Sequence, residues 1–317
     1  MTLEQLRIFV AVAERQHVTE AARALNLAQS AASHAIAALE ARHDTKLFDR
    51  VGRRIELTEA GHIFLAEARA VLARTEAAEL ALSEFGGLKR GTLSIQASQT
   101  IAGYWLPRHL VAFRRAYPQI KIRLAIGNTA QVAAAVESGM AELGFVEGVV
   151  KNKHLASTPV ARDQLVVVVG RGHPWIGRTR LTPSDLMEGE WVLRESGSGT
   201  RSVFEDALAH LGMKPDALRI QLELPSNEAV RAAVEAGLGA TAISASVAAP
   251  SIEANLLYQA AFRLPEREFH VLRRQERYWS RVADALLALM TNWQAVGAGR
   301  RERQRRTKGN ATATRRT

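Results

Sequence analysis

Between His17 and Glu40 the chain reads HVTEAARALNLAQSAASHAIAALE, and its apolar positions form two short helical patterns on either side of a break at Asn26. In the first, Thr19 to Leu25, the residues Ala21, Ala22 and Leu25 can face a core. In the second, opening near Gln29, Ala32, Ile36 and Leu39 recur at spacings of four and three, the period of one helix face. Alanine at facing positions lets two helices approach closely. The second helix opens on small polar residues, Gln29, Ser30, Ser33 and His34. A helix-turn-helix needs this arrangement: a packed first helix, and a second whose leading turns enter the major groove of DNA. A helical hairpin with a solvated polar face is the plainer alternative, and the flanking residues weigh against it.

Upstream, Thr2 and Gln5 form a capping-box pattern ahead of Leu6, Phe9, Val10 and Ala13, which predicts a first amphipathic helix. Downstream, Lys46-Leu47-Phe48-Asp49-Arg50 and Ile55-Glu56-Leu57-Thr58 flank a turn at Gly52. This predicts a β-wing with Arg53 and Arg54 at its tip, able to reach phosphates or the minor groove. Arg50 is open to two readings, a wing contact or a structural partner of Asp44 or Asp49. Thr58 can cap a long helix from His62 to Phe85, free of Pro and internal Gly. In it Phe64, Ala68, Val71, Thr75, Ala78, Leu82 and Phe85 alternate by four and three, a heptad seam. A dimerising coiled coil is favoured, because a dimer reads two half-sites; the alternative is one helix packed on its own domain. Gly86, Gly87 and Gly91 mark a hinge.

From Thr92 the pattern changes to short apolar strands alternating with helices. Strands are predicted at 92–97, 120–126, 143–146, 165–169, 191–194, 220–224, 240–244 and 269–273. Helices are predicted at 106–116, 130–137, 200–211, 228–235 and 280–293. Such alternation predicts a parallel sheet with right-handed crossovers. The strand at 165–169 crosses into a second lobe and the one at 269–273 crosses back, leaving a cleft between lobes. Lobe I then covers about 91–163 and 267–296, lobe II about 164–266.

Three segments leave strand ends and converge on that cleft: Ser98-Gln99-Thr100, the turn Arg194 to Arg201, and Pro225-Ser226-Asn227-Glu228. Ligands in open α/β sheets sit at the carboxyl ends of strands. Within the second segment, Ser196-Gly197-Ser198-Gly199-Thr200-Arg201 reads as an anion cradle of hydroxyls, free amides and one guanidinium. An ordinary turn capped by Ser198 or Thr200, with Arg201 solvated, is the alternative. Glu147 either faces the cleft and selects against excess negative charge, or serves as a rim salt-bridge partner.

Charge changes this picture little. The net +10 of the 317 residues is concentrated at the end, where 297–317 hold eight Lys/Arg against one Glu; residues 1–60 are balanced, eight against eight. The tail over 297–317 has no apolar anchor and is expected to be disordered, adding at most non-specific phosphate affinity. The absence of cysteine excludes disulfides and thiolate sites. With no signal-peptide pattern and no apolar run long enough for a bilayer, the expectation is a cytoplasmic protein without membrane contact. Enzyme readings fare poorly. Gly197-Ser198-Gly199 is preceded by Ser196 where a nucleophile elbow needs glycine. No phosphate loop of the Gly-x-x-x-x-Gly-Lys type occurs. The nine histidines have no metal-binding spacing, so neither a catalytic group, a metal nor a cofactor is expected.

In combination, Leu6-Arg7-Ile8-Phe9, Thr19-Glu20-Ala21-Ala22, Leu27 to Ser33, Leu47-Phe48-Asp49-Arg50 and Leu57-Thr58-Glu59-Ala60-Gly61 resemble the LysR-type transcriptional regulators over about residues 1–296. The resemblance implies a winged helix-turn-helix domain (1–60), a linker and dimerisation helix (61–88), and a two-lobed α/β effector domain like the periplasmic binding proteins (91–296). It implies promoter DNA as partner, a homodimer or homotetramer, RNA polymerase contact in an activator, and a small-molecule effector. It places Thr19, Gln29, Ser30, Ser33, His34, Arg50, Arg53 and Arg54 at DNA-facing positions. His34 departs from the long polar residue common there. The turn Arg194 to Arg201 is similar to that of regulators of carbon-dioxide fixation and sulfur assimilation, which implies a small anionic effector. The competing hypothesis is a cytoplasmic small-molecule-binding protein with a helical dimerisation segment and no specific DNA target.

Overall fold

A computed structural model describes residues 1–51, 54–84, 91–275 and 280–291. The chain divides into two compact units, one over Met1–Ser83 with Ser138–Met140, the other over the remaining residues from Glu84.

The N-terminal unit opens with α1 (Leu3–Arg15), whose Thr2–Gln5 capping box forms as predicted. α2 (Val18–Ala24) and α3 (Gln29–His43) follow, joined through Asn26 in the left-handed region at φ 57°. Asparagine tolerates that conformation better than most side chains. Ala21, Ala22 and Ala32 are wholly buried against Ile8 and Val12; larger side chains would hold these helices apart. β1 (Phe48–Val51) and β2 (Arg54–Leu57) pair antiparallel as the wing, Phe48 opposite Leu57 and Val51 opposite Arg54. The long helix α4 (Glu59–Glu84) starts three residues before its predicted position, with the Thr58 hydroxyl accepting from Gly61 N at 2.9 Å. Gly61 is required there, because a Cβ would stand 2.2 Å from the Leu47 carbonyl oxygen.

Two positions of the expected dimer seam, Phe64 and Ala68, pack within this unit. Ala68 is buried with Leu6, Phe9 and Leu39, and the Phe64 ring packs 4.8 Å from that of Phe9. Both serve this unit's own core. Val71 and Ala78 are exposed, and Thr75 donates to the Val71 carbonyl. Leu82 lies within α4, and Phe85 lies outside the described residues.

In the second unit, β3 (Gly91–Ser98), a π-helical turn at Ile101–Trp105, α5 (Leu106–Ala116), β4 (Ile120–Gly127), α6 (Thr129–Ser138) and β5 (Leu143–Glu147) form a first lobe. β6 (Leu155–Gly170) leads into a second lobe of α7 (Pro183–Glu188), β7 (Glu190–Arg194), α8 (Gly199–His210), β8 (Arg219–Leu224), α9 (Asn227–Glu235), β9 (Ala240–Ser244) and α10 (Ala245–Glu253). β10 (Leu257–Arg274) returns, and residues 281–291 are helical. One sheet of order β4-β3-β5-β10-β6-β9-β7-β8 runs through both lobes.

The sheet is mixed, not parallel as the alternation predicts. β3 is parallel to β4 and β5, and β7 to β8 and β9, but β10 is antiparallel to β5 and β6, and β6 to β9. The two crossovers are therefore long strands paired with each other. Leu165, Val167 and Val169 pack with Trp191 and Phe204, while Val166 and Val168 pack with Val192, Val230 and Ile243. Both faces of β6 are covered here, which is why its sequence is a continuous apolar run.

Candidate functional site

The exposed polar face of the N-terminal unit lies on α3. Gln29, Ser30 and His34 are exposed and Ser33 half-buried, with Gln29 Nε2 donating to Ser33 Oγ at 3.0 Å. No side chain caps the start of α3 at Ala28, which leaves its leading amides available to phosphate oxygens. Thr19 is exposed in the first turn of α2. Arg50 and Arg54 take strand positions opposite Ile55 and Val51. Arg53 lies outside the described residues.

One residue unsuspected from sequence fastens the wing. Glu40, buried near the end of α3, accepts from Leu47 N at 2.9 Å and Phe48 N at 3.3 Å and pairs with Lys46 at 2.8 Å. Burial pushes its carboxyl up, but the hydrogen bonds from Lys46, Leu47 and Phe48 outweigh this and hold it below the usual carboxylate range.

In the second unit, all three predicted strand-end segments come together. Asn227, wholly buried at the start of α9, donates its backbone N–H to Gln99 Oε1 at 2.7 Å and its Nδ2 to Thr100 Oγ1 at 3.0 Å. Its Oδ1 accepts from Arg194 Nη1 at 2.8 Å. The turn after β7 also reaches the first lobe: Ala130 N donates to Gly197 O at 3.3 Å and Asn128 Nδ2 to Glu195 Oε1 at 3.4 Å. Gly197 needs its φ of 85°, and Ser196 is exposed. Ser198 takes the N-cap position of α8 without a side-chain cap bond. Ser98, 2% exposed, has no hydrogen-bond partner for its hydroxyl.

Arg201, the guanidinium expected at the turn, is engaged within lobe II. Arg201 points along α8 and is held by Glu205 at 2.7 Å, by Glu223 and by the Arg194 carbonyl. The cation that bonds Thr200 is Arg267, 3% exposed on β10, whose Nη1 donates to Thr200 Oγ1 at 3.0 Å. Its partner is Asp163, directly opposite on β6, at 2.8 Å from Nε, and Ser244 Oγ donates to the other Asp163 oxygen at 2.7 Å. Both residues lie where the strands pass between lobes, so the network ties α8 to the crossover. Arg194 likewise is matched by Glu195, at 2.8 Å. Glu147 is buried, 4% exposed, and not a rim residue; its Oε2 accepts from Thr129 Oγ1 at 3.4 Å.

The fold thus defines a winged helix-turn-helix DNA-binding protein with an appended α/β effector domain. Residues 3–62 match the family model for bacterial regulatory helix-turn-helix proteins of the lysR family, and 86–295 that for the LysR substrate binding domain. The chain belongs to the LysR-type transcriptional regulators, which are regulators and not enzymes. A probable RuBisCO transcriptional regulator of Cyanophora paradoxa is 33% identical over 89% of each chain. The crystal structure of full-length CbnR complexed with its target DNA covers 92% of this chain and 98% of its own, at TM-score 0.67 and 24% identity. The regulatory domain of Synechocystis PCC6803 CcmR in complex with 2-PG covers 63% and 98%, at TM-score 0.57 and 25% identity. No described helix is long and apolar enough to cross a membrane.

Proposed function

We propose that this regulator binds promoter DNA as a dimer or tetramer in the cytoplasm, and that a small anionic metabolite between the two lobes of residues 91–296 changes that complex. The observation that carries the effector reading is the convergence of Ser98, Gln99, Thr100, Asn227 and the uncapped start of α8 at Ser198–Thr200. Helix N-termini favour anions, and hydroxyls and amides supply the donors. The complex of CcmR with 2-PG and the likeness to RuBisCO regulators support a small phosphorylated or carboxylate anion. Ligand binding would act through its unequal affinity for two arrangements of the lobes. Residues 1–60 would contact DNA through α3 and the wing. Residues 61–88 would pair two copies through exposed α4 positions such as Val71 and Ala78, and an activator would add RNA polymerase contact.

A thermal-shift screen of the full chain against phosphorylated acids, dicarboxylates, sulfate and sulfite tests this. A ligand at about 100 times its Kd adds roughly 2.7 kcal/mol of stability. A selective hit that changes the promoter footprint and is lost in Thr200→Ala is expected. A flat panel on folded protein overturns the anion reading.

A further inference from the structure

Resting on that reading, the charges around the cleft narrow the ligand further. Arg194 is committed to Glu195 and Asn227, Arg267 to Asp163 and Thr200, and Arg201 to Glu205 and Glu223. Glu147 differs. Among the described residues it has no cation within ion-pair distance, and its carboxylate is held by the single Thr129 hydroxyl. It stands beside the start of α8: a Cβ built on Gly199 would lie 3.0 Å from Glu147 Oε2. Phe269 lies opposite Glu147, and Arg267, two residues before it, bonds Asp163 through Nε and Thr200 through Nη1 and leaves Nη2 buried without a hydrogen-bond partner. A carboxylate so placed has lone pairs left to accept a further donor. Ser98, at the end of the neighbouring strand β3, has a buried hydroxyl without a partner.

We infer that Glu147 is a recognition group for a hydrogen-bond donor on the effector: the ligand joins an anionic group, held by Ser98 and the first amides of α8, to a hydroxyl or ammonium that Glu147 accepts. An anion lacking such a donor would set its charge beside the Glu147 carboxylate, and like charges repel. The effector class is therefore a hydroxylated or aminated acid or phosphate ester, which would set this site apart from that of CcmR, whose 2-PG carries no such donor.

The test is calorimetric titration of the full chain with two series whose members differ only at the second carbon. One is succinate, malate and aspartate; the other is 3-phosphooxypropionate, 3-phosphoglycerate and O-phosphoserine. In at least one series the hydroxyl or ammonium member is expected to bind ten times more tightly than its donor-free parent. In Glu147→Gln, which keeps the shape and removes the charge, the donor-free member is expected to gain and the ranking to flatten. Binding of both series with the donor-free member equal or best in the unmodified chain overturns the role of Glu147 while leaving the anion site standing. The same ranking before and after Glu147→Gln does so too. Absence of binding by every member overturns the anion site and the inference together.

Discussion

Asn227 and Thr100 are 127 residues apart in sequence, yet the side-chain amide of one donates to the hydroxyl of the other at 3.0 Å inside the protein. Asn227 also accepts from Arg194, so one buried amide joins the first lobe, the second lobe and a buried cation. Its backbone N–H is satisfied by Gln99 at 2.7 Å. All of these bonds sit at strand ends.

Asn227→Ala removes the amide and leaves Arg194 Nη1 short of its acceptor. Orphaning a buried group costs about 1–3 kcal/mol. Urea unfolding of the full chain is expected to show a loss in that range, with promoter affinity unchanged and the ligand response weakened. A loss under about 0.5 kcal/mol would mean that water replaces the amide without penalty.

The Arg267–Asp163 pair makes a sharper prediction, because buried ion pairs respond asymmetrically to mutation. Arg267→Ala leaves Asp163 buried with only Ser244 as donor, and frees Thr200. A loss of about 3–5 kcal/mol is expected. The double replacement Arg267→Met with Asp163→Leu removes both charges and is expected to recover most of that loss, while the ligand response stays absent because Thr200 is no longer oriented. Equal stability of the single and double variants would show that the pair is not what the single variant breaks.

These two networks also mark where the sequence stops being legible. α5 appears at its predicted bounds, Leu106–Ala116, because Pro107 starts it and Tyr117-Pro118 stops it, both local signals. β9 is likewise read directly from Ala240–Ser244. The strand β6 is predicted only over Leu165–Val169, because its first half carries Ser157, Thr158, Pro159, Arg162 and Asp163 and reads as loop. What makes it a strand is its antiparallel partner β10, about a hundred residues away, and no local period reports such a pairing. The same distance hides the cation bonded to Thr200. Arg201 stands next to the glycine-rich turn in sequence, whereas Arg267 reaches Thr200 through tertiary register alone. Gln99, Thr100 and Asn227 meet because strand ends in an α/β sheet converge by topology.

His109 gives a pH-dependent prediction. It is buried on α5, its ring 4.5 Å from Trp105 and its Nε2 accepting from Arg108 at 3.3 Å. Burial, and then the Arg108 charge, lower its pKa from 6.5 to about 4. The folded protein keeps the ring neutral while the unfolded chain protonates it near 6.5. Its contribution is therefore complete above pH 6.5 and is lost as pH falls toward about 4, on the order of 3 kcal/mol across that window. His109→Leu removes the titration. Stability of the two proteins, measured by urea unfolding from pH 7.5 to 4.5, is expected to diverge with the unmodified chain falling faster. Parallel curves would show that the ring protonates equally in both states.

Gln29 and Ser33 test the DNA face. They lie one turn apart on α3 and are linked at 3.0 Å, with Gln29 exposed and Ser33 half-buried. An amide held by a neighbouring hydroxyl is pre-oriented for a base edge, and each good base contact discriminates by about 1–3 kcal/mol. Gln29→Ala is expected to relax selection at its own base position by that amount. Ser33→Ala releases the Gln29 amide as well as its own contact, so its effect overlaps with that of Gln29→Ala and the double variant loses less than the sum of the singles. Non-specific affinity, set by phosphates, and its salt dependence stay nearly constant across the three variants. Selection from a randomised operator pool measures the first effect, and titration at two salt concentrations the second. If both single variants keep the parent's base preferences, the leading turns of α3 do not read the groove, and the polar opening of that helix is only a solvated face.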